Sequence, residues 1–206
     1  MVTQEFQEIL TLLKTGDVVL FSGKTGFSRS IKWFTVSRWT HVGMVIRLPE
    51  HPDPLIWESL RIPELPDVID GTLKSGVQLL NLADRLRTCV ADIAIRSLNE
   101  PITSDMNGAL LNFRETVRNR PYEQSMLQLF RSAWDGPFGQ NQADLSSIFC
   151  SELIAGAYQA MGLLPCNTSG GQPSNEYTPK YFSEQGPINL LGGYSLGPTQ
   201  LLKGQQ

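Results

Sequence analysis

The chain has 206 residues, 41% of them hydrophobic, and a formal net charge of −3. That length and composition predict a single domain, residues 1–206, with a real core. A slightly acidic chain without a dense Lys/Arg cluster argues against nucleic acid as a partner. No run of about 18 apolar residues occurs, so no transmembrane segment is expected. The opening stretch MVTQEFQEILTLLKTGD has Glu and Gln where a signal peptide needs an apolar run, which predicts a cytoplasmic protein.

In chain order, Phe6, Ile9, Leu10 and Leu13 recur at helical spacing and predict a helix from about Thr3 to Lys14. VVLFSG then reads as a short buried strand, and KTGFSRSIKWFTVSRWT as a loop with a helical turn on the surface of a cleft. HVGMVIRL and LIWESLRI are strands, separated by the breaker-rich turn PEHPDP. Residues 61–76 are an irregular excursion. VQLLNLADRLRT begins as a strand and ends as a short helix, and CVADIAIRSL alternates like a strand. Met106, Leu110, Phe113 and Val117 mark a helix from Thr103 to about Arg118, and SMLQLFRSAW reads as a further short helix. After a Gly/Pro loop, Leu153, Ile154, Ala157, Tyr158, Met161 and Leu164 form the stripe of an amphipathic helix. A loop with a helical turn and one final strand complete the chain. The order predicts an α+β domain, an antiparallel sheet with helices packed to one side.

Cys150 precedes that last stripe by about one turn, with Ser147 as a candidate N-cap. Two readings follow. Cysteine is among the most buried residue types, so Cys150 can be core. At a helix N-terminus it can instead be a nucleophile. The helix dipole lowers a thiol pKa by only about one unit, so a nucleophile needs an imidazole as well. The chain has two histidines. His41 opens a strand, a firm platform, beside Gly43, which leaves room for a cleft. His51 sits among prolines and reads as a solvated turn residue. On the next strand Glu58 is flanked by apolar neighbours. A hairpin turning at Leu48–His51 pairs Arg47 with Pro52 and sets His41 opposite Glu58, within reach of a ring nitrogen. Glu58 reads equally well as a solvent-facing strand residue.

Other signals are weaker. FSGKTG has Val18 where a phosphate loop needs glycine. Asn167-Thr168-Ser169 is a glycosylation sequon without a secretion signal. The three cysteines, Cys89, Cys150 and Cys166, fit neither a disulfide framework nor, with two histidines, metal-ligand spacing. No cofactor or metal is expected. Cys89 reads as core and Cys166 as an incidental loop residue. Trp33, Phe34 and Trp39 either line an apolar groove or pack against the cysteine helix.

GDVVLFSG, RWTHVGMVI, LIWESL, RPYEQ and FCSELIAGAYQAMGLL, in that order, resemble the circularly permuted branch of the NlpC-type papain-like thiol hydrolases, the YiiX-like and YebB-like proteins. THVGMVI and FCSELIAGAY are the specific motifs. The resemblance implies a permuted papain-like fold in which the histidine strand precedes the cysteine helix. It also implies that Cys150 is the nucleophile, His41 its base and Glu58 the third polar residue, with Tyr122 near the oxyanion, whose charge backbone amides at the start of the Cys150 helix are expected to meet. Residues 61–76 and 135–146 match no family pattern. The expected function is a cysteine hydrolase cleaving an amide bond of a peptide or isopeptide-like substrate. Relatives such as lecithin retinol acyltransferase make acyl-lipid ester or thioester chemistry the alternative. An inactive binding module of the same fold is a third.

Overall fold

The computed structural model describes residues 4–23, 37–118, 142–166, 170–186 and 188–202, with backbone alone for 4–6 and 142–149. Helix α1 (Gln4–Leu12) leads into β1 (Val18–Gly23), followed by β2 (His41–Ile46), β3 (Leu55–Leu60) and β4 (Gly76–Asn81). A short α2 (Leu82–Thr88), β5 (Ala91–Arg96), α3 (Ser104–Val117) and α4 (Gln142–Ala160) come next. Two 3-10 turns (Ser174–Glu176, Pro179–Phe182) and β6 (Gln200–Leu202) close the chain. The strands form one antiparallel sheet in the order β4-β3-β2-β1-β5-β6.

α2 and α3 start where the sequence offers caps. The Thr103 hydroxyl accepts from Met106 N at α3, and Asn81 Oδ1 accepts from Asp84 N at α2. β1 is a continuous apolar run, and Val18 to Phe21 are all buried. Such a run requires cover on both faces, and the sheet has it. Val18, Leu20, Met44, Trp57 and Leu79 pack against Leu110 of α3 and Ile154 and Tyr158 of α4. Val19, Phe21, Val45, Ile56 and Leu80 pack against Leu10 of α1, Leu13 just beyond it, and Leu82 and Leu86 of α2. The expectation of helices on one side is thus corrected.

The turn before β1 anchors α4. Gly16 takes a positive φ of 98°, a conformation that favours glycine. Its carbonyl accepts the Tyr158 hydroxyl at 2.7 Å. Asp17, buried, accepts from Lys14 N and Leu98 N, both at 2.9 Å. The Gly16-Asp17 pair therefore fixes the cysteine helix to the sheet. Among the described residues, no helix is long and apolar enough to cross a membrane.

Candidate active site

The β2–β3 pairing sets the first part of the site. Met44 faces Trp57, Val45 faces Ile56 and Ile46 faces Leu55. This register lies two residues from the expected one, so Glu58 falls beside Gly43 and diagonal to His41. The expected pairing of Arg47 with Pro52 fails for a physical reason. Proline has no N–H to give, and the Arg47 N–H is committed to Thr15 Oγ1 at 2.9 Å. A shift of two keeps every side chain on its face. Diagonal neighbours on a sheet are still within reach of long side chains, and His41 Nε2 meets Glu58 Oε2 at 2.6 Å. Glu58 is fully buried and His41 is 15% exposed, so the solvent-facing reading of Glu58 is excluded.

Gly43 serves this contact in a way the sequence did not suggest. A Cβ there would lie 2.7 Å from Ile56 Cδ1 and 3.3 Å from Glu58 Cβ. The room beside His41 is filled by β3 side chains and is not an open cleft.

A buried carboxylate needs a counter-charge, and α2 supplies it. Arg85 Nε donates to Glu58 Oε1 at 2.6 Å, and Arg85 Nη1 donates to Glu64 Oε2 at 3.0 Å. The guanidinium lies 4.8 Å over the Phe21 ring, and that ring is 5.4 Å from the His41 ring. Sequence reading missed Arg85. The available signal was its place on the buried stripe of α2 with Leu82 and Leu86, where an arginine requires a partner.

Cys150 is buried in the core between the sheet and α4. His41 is the first residue of β2, so its ring stands at the end of the sheet. From there it engages Glu58 on one side and hydrogen-bonds Cys150 on the other. Burial alone would lower the His41 pKa. The negative charge of Cys150 and its hydrogen bond, followed by Glu58, outweigh burial and push it up to about 9. Burial pushes Glu58 up, but Arg85 first and His41 next hold it below the usual carboxylate range. Three of the four residues singled out from sequence are therefore in one hydrogen-bonded line, Cys150–His41–Glu58, extended by Arg85.

Other expectations change. Cys150 is not at a helix N-terminus, because α4 begins at Gln142 and places it two turns inside. No glycine or proline lies between Gln142 and Phe149 to halt the helix, so Ser147 is interior. The dipole effect is confined to the first turn and does not act on this thiol. Cys89 does not begin β5; it is the half-buried C-cap of α2. Trp39 is core, while Trp33 and Phe34 lie outside the described residues. Tyr122 and residues 135–141 also lie outside them. Residues 61–76 seal the outer edge of β4, where Val68 N donates to the Leu79 carbonyl and Leu79 N to Asp67 Oδ2. The same segment brings Glu64 to Arg85.

No protein-family model matches the chain, and neither does any curated protein. Among solved structures it is similar to the crystal structure of the metalloprotein YiiX from Escherichia coli O157:H7, DUF1105. The identity is 15% and the TM-score 0.46 over 71% of this chain. The chain spans 64% of that protein's length. At that level the likeness assigns neither family nor activity. Among the described residues, no group of three or more His, Cys, Asp or Glu side chains is arranged to hold a metal ion.

The His41 shift has a consequence for stability. Its folded pKa, about 9, lies above its unfolded value of 6.5. The folded chain thus binds the proton more tightly, and the contribution is complete below pH 6.5 and lost as pH rises through 9. A shift of that size corresponds to roughly 3 kcal/mol at most. The stability difference between the wild type and His41→Gln should therefore shrink steadily from pH 6.5 to 9, measured by urea unfolding. A difference that stays constant across this window would contradict the shift.

Proposed function

We propose that the chain is a cysteine hydrolase of permuted papain-like fold, cleaving an amide bond of a peptide or isopeptide-like substrate. The observation that carries the reading is the His41 ring, which hydrogen-bonds Cys150 and, through Nε2, engages a fully buried carboxylate. A buried cysteine that only packs has no need of an imidazole held in this way.

Cys150 Sγ attacks the carbonyl carbon, and the proton held by His41 passes to the leaving amine as the C–N bond breaks. A thioester remains. His41, now neutral, takes a proton from water as its oxygen bonds to the acyl carbon; the C–S bond then breaks, the carboxylic acid leaves, and the sulfur and the protonated ring are restored. Glu58 fixes the ring's tautomer and orientation throughout. The oxyanion donor is not the Cys150 N–H, because an amide inside a helix is committed to the carbonyl four residues back. The sequence assigns this role first to backbone amides at the start of the Cys150 helix, which the upstream start of α4 overturns, and then to Tyr122. Cys150 has no exposed surface, so the chain around it must move to admit a carbonyl.

One observation favours acyl-lipid ester or thioester substrates as a second reading. A cavity of about 330 Å³ runs along α4 from Leu153 to Ala160, lined on its apolar side by Val77, Phe113, Val117 and Gly156. Intact-mass measurement after incubation with amide peptides and with acyl thioesters tests both. An acyl adduct from the peptides, absent in Cys150→Ala, supports the amide reading; an adduct only from the acyl series transfers the proposal to lipids. Neither adduct nor turnover from either series would leave an inactive module of this fold.

A further inference from the structure

We infer that Arg85 is a positioning residue of this site, fixing Glu58 in place so that Glu58 in turn fixes the His41 ring. The inference rests on the hydrolase reading above. Its geometric basis is the division of the Glu58 carboxylate: Oε1 receives Arg85 Nε and Oε2 meets His41 Nε2, each at 2.6 Å. With both oxygens held, the carboxylate cannot rotate without losing a partner. The guanidinium is itself held from several elements. Phe21 of β1 supplies a ring face, Glu64 accepts from Nη1, and Cys89 at the end of α2 also faces it. Phe21 lies against both Arg85 and His41, so both ends of the relay rest on one side chain.

A purely structural ion pair predicts that loss of Arg85 costs stability and nothing else. A positioning residue predicts an altered response of Cys150 to pH, with Cys150 facing His41 and His41 facing Glu58 and Cys150. The guanidinium keeps the buried Glu58 ionised, and an ionised Glu58 favours the protonated ring.

The test is a double-mutant cycle read by Cys150 alkylation with iodoacetamide between pH 5 and 9, located by peptide mass. Arg85→Met should lower the rate at pH 6 by about tenfold, one unit of imidazole pKa. Arg85→Lys, which keeps the charge without the fork, should recover part of it. Glu58→Gln should lower the rate similarly, and adding Arg85→Met to Glu58→Gln should change nothing further, because Arg85 acts only through Glu58. The double variant buries no unpaired charge and keeps the test open if Arg85→Met alone does not fold. A profile in Arg85→Met equal to wild type, or a further loss on the Glu58→Gln background, overturns the inference. Wild-type alkylation of Cys150 that is independent of His41 overturns the hydrolase reading instead.

Discussion

Replacing His41 with Asn should slow alkylation of Cys150 at pH 6 by roughly a hundredfold, while alkylation of Cys89 and Cys166 stays unchanged. The magnitude follows from thiolate supply. An ordinary thiol with a pKa near 8.5 is ionised to well under about 1% at pH 6. A thiol that can pass its proton to a neighbouring imidazole presents a far larger reactive fraction. The helix cannot supply this effect, because Cys150 lies two turns inside α4. Among the described residues His41 is the partner that can supply it, which makes the His41 effect larger here than it would be for a cysteine at a helix start. His51 is the internal control. It lies in the turn between β2 and β3, outside the Cys150–His41–Glu58 line, and His51→Asn should leave the Cys150 rate at wild-type level. Equal effects of the two substitutions would contradict the assignment.

Glu58→Ala should destabilise the fold by about 3–5 kcal/mol, the usual cost of removing one partner from a buried ion pair. Arg85, 5% exposed, would lose the acceptor for its Nε. Glu64, about half exposed, would be its remaining carboxylate. Domains of this kind hold roughly 5–15 kcal/mol in total, so the loss should be plain in urea unfolding. Glu58→Gln/Arg85→Met should lose much less, because no charge is left buried and unpaired. The ordering matters more than either figure. If Glu58→Ala is no less stable than the double variant, the buried pair is not what holds α2 against β3.

Much of this was legible in the sequence. VVLFSG appears as a strand with the expected bounds, and HVGMVIRL as a strand that starts where expected and ends two residues early at Ile46, because apolar runs between breakers leave little choice. The meeting of His41 with Glu58 was legible for a subtler reason. The expected register was wrong by two residues, yet a slip of two preserves the face, and a glutamate is long enough to cover the diagonal. What was not legible depends on long-range geometry. The start of α4 was misplaced because Ser146-Ser147 looks like a cap, whereas only the fold reveals that the helix continues upstream. Arg85 was overlooked because a charge on a seven-residue helix reads as surface until Glu58, 27 positions earlier, is seen buried beside it. The cover on both sheet faces could have been read from β1, whose side chains do not alternate in polarity.

His41 holds its proton because Cys150 and Glu58 both face the ring. The most direct measurement is the titration of the imidazole nitrogens by NMR, which is simple in a chain with two histidines. His41 should titrate near 9, and this midpoint should fall by more than a unit in Cys150→Ala. A His41 midpoint near the ordinary value of about 6.5, or a high one unmoved by Cys150→Ala, would contradict it.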